Sequence, residues 1–190
     1  IWTYETDLGI ESVSISSNGE YIAVGSRDDS VYFFNKDSST PLWSYATDSF
    51  VAYVSISADG EYIAVGSNDG KTYLFNKNSS TPLWSYECET CSGNGVKSGA
   101  ISANGNYIVT GTNDKKLFLF SKDSSTPLWS YEDFEGQPYV TISAEGDYIF
   151  AGSETNDGEV YLFNKDSNTP IWSYATAGNV KAVSISADGK

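Results

Sequence analysis

Apolar and polar residues alternate along most of this chain in runs of about five or six, and each run closes on a polar cluster rich in Gly, Asn, Asp or Ser. A period of two puts successive side chains on opposite faces of an extended backbone, so the pattern predicts β-strands, not amphipathic helices. In residues 53–87 the runs 53–57, 62–67, 71–76 and 82–87 read as four strands. The first two connections, Ala58-Asp59-Gly60 and Asn68-Asp69-Gly70, end in a Gly that supplies positive φ, preceded by an Asp that tolerates the same region. Both predict tight hairpins. The third is serine-rich and ends at Pro82, which lacks an N–H and therefore suits the first residue of an outer edge strand.

The same unit recurs. Tryptophan stands at positions 2, 43, 84, 129 and 172 and the first-turn glycine at 19, 60, 105, 146 and 189, both at intervals of 41 to 45 residues. Copies begin at Val13, Val54, Gly99 and Val140, and a fifth starts at Val183. A four-stranded sheet of this size cannot bury its own faces, so neighbouring copies must stack to make a core. The expected architecture is all-β: a β-propeller segment of four-stranded antiparallel blades, four of them whole, with one strand at each end. The expected boundaries are a last strand of a preceding blade at 1–6, blades at 11–46, 52–87, 97–132 and 138–175, and the start of a fifth at 180–190. Trp2, Trp43, Trp84, Trp129 and Trp172 share one repeat position and read as packing residues between blades. With only single strands at the termini and no Met, the chain reads as a stretch of a longer or processed ring, with open blade edges that invite self-association.

Residues 57–70, Ser-Ala-Asp-Gly-Glu-Tyr-Ile-Ala-Val-Gly-Ser-Asn-Asp-Gly, resemble the middle of a WD-repeat blade. Where that family ends its third strand in Trp-Asp, this chain has Phe34-Asn35, Phe75-Asn76, Phe120-Ser121 and Phe163-Asn164. It has no Gly-His pair, so the family's buried polar network does not carry over. Residues 33–43 are similar to the tryptophan-docking repeat of quinoprotein dehydrogenases, A-x-D-x-x-T-G-K-x-x-W, with Asn35, Ser38, Ser39 and Thr40 replacing its Asp, Thr, Gly and Lys and only Trp43 identical. Both resemblances imply a ring of blades. The second also implies an alternative function, a dehydrogenase-type propeller fragment using pyrroloquinoline quinone (PQQ) and calcium.

Composition narrows the chemistry. The 190 residues include no His, which removes catalytic triads, imidazole metal sites and imidazole acid–base chemistry. With 11 basic and 25 acidic residues the net charge is −14, which argues against nucleic acid or an anionic lipid surface as partner, and no apolar run is long enough for membrane insertion as a helix. Cys88 and Cys91, the only cysteines, read first as a local disulfide pinning a long loop; zinc would need further ligands, and redox catalysis would need a thioredoxin-like setting. The acidic balance and that loop fit an extracellular or cell-envelope protein, and fit some cytosolic ones too.

The copies can be compared with one another. Turns after the first and third strands hardly vary, whereas connections after the second and fourth strands differ in length and composition and open on one face of a propeller. That face holds both insertions, at 88–95 and 154–159, and carries 16 acidic and 6 basic residues. The residues at 154–159 do not have the ligand spacing of a calcium loop, which leaves them a weak candidate for that ion. Phe50, Tyr53, Phe134 and Tyr139 stand where other copies have Leu8 or Gly178, Ser12 and Ala182. With Glu154 and Asp157 they form the candidate partner face, the competing reading being that the aromatics fill gaps between unequal blades. No catalytic, cofactor-binding or metal-binding residue is identified. The expected function is a non-catalytic binding or interaction scaffold for a protein or glycan.

Overall fold

The computed structural model describes residues 1–88, 95–156 and 158–189. These hold sixteen strands in four separate antiparallel sheets, each a meander with its strands in chain order. Blade 1 is β1 (Ile10–Ile15), β2 (Tyr21–Ser26), β3 (Ser30–Asn35) and β4 (Trp43–Ala46). Blade 2 is β5 (Val51–Ile56), β6 (Tyr62–Ser67), β7 (Lys71–Asn76) and β8 (Trp84–Glu87). Blade 3 comprises β9 (Val96–Ile101), β10 (Tyr107–Thr112), β11 (Leu117–Ser121) and β12 (Trp129–Tyr131), and blade 4 comprises β13 (Gln137–Ile142), β14 (Tyr148–Glu154), β15 (Glu159–Asn164) and β16 (Trp172–Ala175).

The first strands of successive blades, β1, β5, β9 and β13, lie beside one another, and the fourth strands are outermost. Side chains on both faces of each inner blade are buried between sheets, as face-to-face stacking demands. Ala23, Val31 and Phe33 of blade 1 meet Val54, Ile56, Ile63, Val65 and Phe75 of blade 2. Equivalent cores lie between blades 2 and 3 and between blades 3 and 4.

Polar bonds repeat at each junction. The Ser17 amide donates to the Ala58 carbonyl oxygen (3.0 Å), Ala58 to Ala103 (2.9 Å), Asn104 to Ala144 (3.2 Å) and Ala144 to Ala187 (3.0 Å). Serines on the first strands cap the free edge of the next: Ser12 Oγ accepts from the Val54 amide (3.0 Å), Ser14 from Ile56 (3.2 Å) and Ser55 from Ile101 (3.1 Å). Each first-turn glycine has positive φ, from 71° to 83°. On four of the five a tyrosine ring of the preceding blade packs: Tyr21 on Gly60, Tyr62 on Gly105, Tyr107 on Gly146 and Tyr148 on Gly189. A side chain at these positions would meet that ring as well as the unfavourable backbone region.

The termini differ from the expectation of lone strands. Residues 2–6 and 180–186 take no place in the four sheets of the described residues. They still dock as blade parts. Trp2 Nε1–H donates to the Lys36 carbonyl oxygen (2.7 Å), as Trp43, Trp84 and Trp129 do to Lys77, Lys122 and Lys165 (2.7–2.8 Å). Val180 and Val183 lie against Gly152 as Val51 and Val54 lie against Gly25.

Candidate functional site

The connections after the second and fourth strands are built around acidic side chains that serve the fold. Asp69 Oδ1 accepts from the Lys71 amide (2.8 Å), and its Oδ2 accepts from the Tyr73 hydroxyl (2.7 Å) and the Asp48 amide (3.2 Å). Asp28 makes the same three bonds, with the Ser30 amide, the Tyr32 hydroxyl and the Asp7 amide. One carboxylate thus ties the second hairpin, the third strand and the incoming connection together. In blade 4 Glu159 takes the hydroxyl of Tyr161 (2.5 Å). Burial first, and the neighbouring Asp28 carboxylate after it, push the Tyr32 phenol up to about 12; burial raises Tyr73 and Tyr161 too, aided by the carboxylates of Asp69 and Glu159. All three stay protonated donors at neutral pH.

Basic residues on this face are largely engaged. Arg27 pairs with Glu11, Lys71 with Asp48 (2.9 Å), Lys116 with Glu132 (3.2 Å) and Lys181 with Glu154 (2.8 Å). Glu5, Asp7, Asp133 and Glu135 are exposed, so the residual field at the rim is negative. Among the described residues no group of three or more Cys, Asp or Glu is placed to hold a metal ion.

The sequence-predicted face does not come together as one patch. Tyr53 and Phe134, expected to face a partner, are buried, at 5% and 4% exposure. Tyr53 is wedged between Gly66 of its own blade and Gly99 of the next, with Thr72 beside its hydroxyl, and Phe134 packs edge-on against Tyr131 and Tyr161. Tyr53 fills space left by a smaller neighbour, lying opposite Gly99 where blades 2 and 4 carry Val54 and Val140. Phe50 and Tyr139 are half-buried. The Tyr139 hydroxyl donates to Glu154 Oε2 (3.1 Å) and Lys97 lies over its ring (5.8 Å), so Tyr139, Glu154, Lys97 and Lys181 form one cluster where blades 3 and 4 meet the C-terminal segment. Lys181 holds the Glu154 carboxyl below its usual range. Asp157 lies outside the described residues, as does Cys91, and with it the expected Cys88–Cys91 bond; Cys88 is buried at the position that Thr47 takes in blade 1.

Trp43 lies between Phe33 (5.0 Å) and Phe75 (5.2 Å), nearly parallel to both, so neither ring face is open for a ligand. The outer grooves beside the tryptophans, each about 410 Å³, are lined by Tyr21, Leu42, Trp43 and Lys77 in one case and Tyr107, Leu128, Trp129 and Lys165 in another. Trp172 differs: among the described residues its ring meets Phe150 at 5.9 Å with no second ring on its other face, and it is 45% exposed. Sequence reasoning located the open ends without naming their apolar residues. Val13 and Ile15 are 61% and 59% exposed where their counterparts Val54 and Ile56 are at 6% and 8%. The signal was available in the repeat itself, since a residue buried by the preceding blade is bare in the first one.

A family model described as outer membrane protein assembly factor BamB matches residues 1–139. The chain belongs to that family of propeller repeats. No curated protein matches it. Two solved structures share the fold of this BamB-type chain: one titled crystal structure of mitotic checkpoint complex (19% identity, TM-score 0.79, 90% of this chain) and hydrazine synthase of Kuenenia stuttgartiensis (16% identity, TM-score 0.82, 98% of this chain). In both cases the chain spans 55% of the other's length.

Proposed function

We propose that this BamB-type chain is a non-catalytic interaction scaffold that presents the acidic connections after its second and fourth strands to a basic protein surface. The observation that supports this most is the division of labour between copies. Turn, tyrosine and tryptophan bonds recur from blade to blade, whereas the connections on one face differ and leave Glu5, Asp7, Asp133 and Glu135 exposed. A rigid frame with variable charged loops suits recognition through steering and specificity.

Biosensor titration with a lysine-rich peptide and a glutamate-rich control tests the reading. Binding of the lysine-rich peptide alone is expected, weakening as salt rises and falling at least fivefold in the variant Glu5→Gln/Asp7→Asn/Asp133→Asn/Glu135→Gln. Equal binding of both peptides, or no effect of the four substitutions, would overturn it. Titration with PQQ and Ca²⁺ should leave absorbance and melting temperature unchanged.

A further inference from the structure

The junction between blades 2 and 3 is built from different residues than the other two, and the differences belong together. Between blades 1 and 2, Ser12 and Val31 of one blade meet Val54 and Val65 of the other. Between blades 3 and 4 the same positions hold Ser98 and Leu117 against Val140 and Ala151. Each of these junctions has one hydroxyl, and it bonds to the neighbouring backbone: Ser12 Oγ accepts from the Val54 amide (3.0 Å) and Ser98 Oγ donates to the Pro138 carbonyl oxygen (2.7 Å). Between blades 2 and 3 the four positions hold Tyr53 and Thr72 against Gly99 and Thr110, so three hydroxyls replace one.

Strand register brings the three to one place. Tyr53, Gly66 and Thr72 lie opposite one another across β5, β6 and β7. The Tyr53 ring runs over Gly66, where a Cβ would stand 2.0 Å from it, and its hydroxyl arrives beside Thr72 and above Gly99 of the next blade. Gly99 pairs with Thr110 across β9 and β10. Residues directly opposite in an antiparallel pair present their side chains on one face about 5 Å apart, so Thr110 flanks the phenol from blade 3 as Thr72 does from blade 2. Tyr53, Thr72 and Thr110 are 5%, 1% and 1% exposed. The Tyr53 hydroxyl and Thr110 Oγ1 are fully enclosed and make no hydrogen bond to a described residue. Buried hydroxyls in folded proteins nearly always find a partner in the protein or in ordered water, because an unpaired one forfeits its hydration.

We propose that one ordered water molecule is bound between blades 2 and 3, bridging the hydroxyls of Tyr53, Thr72 and Thr110. Water matches the chemistry of the site. It accepts from the phenol, donates to the two threonine oxygens, and spans polar groups that are too far apart to bond directly and closed off from bulk solvent. Three neutral hydroxyls would leave a bound ion uncompensated, and an apolar guest would leave the hydroxyls as they are. The joint change at these positions follows from the same demand. With Val65 or Ala151 in the place of Thr110, and Val31 or Leu117 in the place of Thr72, the phenol would have nothing to bond through. Both blades are whole within the chain, and the site is independent of the acidic connections.

A high-resolution crystal structure of the chain, with thermal melts of Thr110→Val, Tyr53→Phe and the double variant, tests the assignment. Electron density for a water roughly 2.8 Å from the Tyr53 and Thr110 oxygens is expected, and it should be gone in the double variant. Each single variant deletes a hydroxyl at nearly constant volume, and valine is what blades 1 and 2 carry at the position of Thr110. With the water in place, each should lower the melting temperature by about 2–4 °C. The double variant should lose less than the sum, because both changes remove partners of one water. Were the hydroxyls unpaired, Thr110→Val would instead raise the melting temperature by removing a buried polar group that bonds to nothing. That rise, or a wild-type map without density at the site, would overturn the proposal.

Discussion

Tyr53 and Gly99 show how a single position is decided by its neighbour across a blade boundary. A Cβ at Gly99 would lie 2.5 Å from the Tyr53 hydroxyl oxygen, so the ring occupies space that a valine fills elsewhere. The corresponding pair between blades 1 and 2 is Ser12 and Val54, joined by a 3.0 Å hydrogen bond from the Val54 amide to Ser12 Oγ. Tyr53→Ser should cost about 3 kcal/mol through the cavity it leaves. Gly99→Val should cost about 2 kcal/mol or more by overpacking. The double variant, which rebuilds the Ser–Val pairing, should be more stable than the Gly99→Val single variant, with a coupling of at least about 1 kcal/mol in urea melts. Additive losses would mean that the two side chains do not share one space. Tyr53 stood out in the sequence as an aromatic that the other copies lack, but comparing copies position by position treats each residue alone. The compensating glycine lies 46 residues away, and only the stacking of blades 2 and 3 brings the two together.

At the level of strands and turns, the first-turn glycine answers two demands that can be separated. Gly146 has φ +83° and carries the Tyr107 ring, whereas Gly19 has φ +71° and no described atom within 4 Å of its missing Cβ. Gly19→Ala should therefore cost only the left-handed backbone penalty, about 1 kcal/mol. Gly146→Ala should cost that plus displacement of a packed aromatic ring, roughly 2–3 kcal/mol in all. Thermal melts of the two variants measure the difference, and equal losses would assign the whole effect to the backbone. Strands and hairpins were legible throughout, since alternation and Asn/Asp-Gly turns are local signals that stacking reinforces. The second hairpin was less so: Asp29 and Lys115 take φ of 65° where blade 2 has Gly70, and neither residue announces a left-handed turn. Nor did Asp28 and Asp69 declare themselves as tethers, since their bonds to tyrosine hydroxyls across the hairpin exist only once the strands pair in register.

For the molecule as a whole, stability should follow position in the array, because each sheet is held by its neighbours and the two outer sheets have one neighbour each. The buried pattern follows this gradient: β6, β7, β10 and β11 are buried along most of their length, β1 is mainly exposed and β16 is exposed throughout. The tails soften but do not remove the difference, since they supply side chains without strand pairing. Native-state hydrogen exchange should accordingly find the slowest amides in blades 2 and 3, faster exchange in β1 and β2 and the fastest in β15 and β16, with opening free energies falling toward each end. Trp2→Ala should accelerate exchange in blade 1 and leave β15 and β16 unchanged, because the contacts of Trp2 with Phe34 and Lys36 reach no further. If all sixteen strands exchanged at one rate, the blades would be opening together and the nearest-neighbour account of their stability would fail.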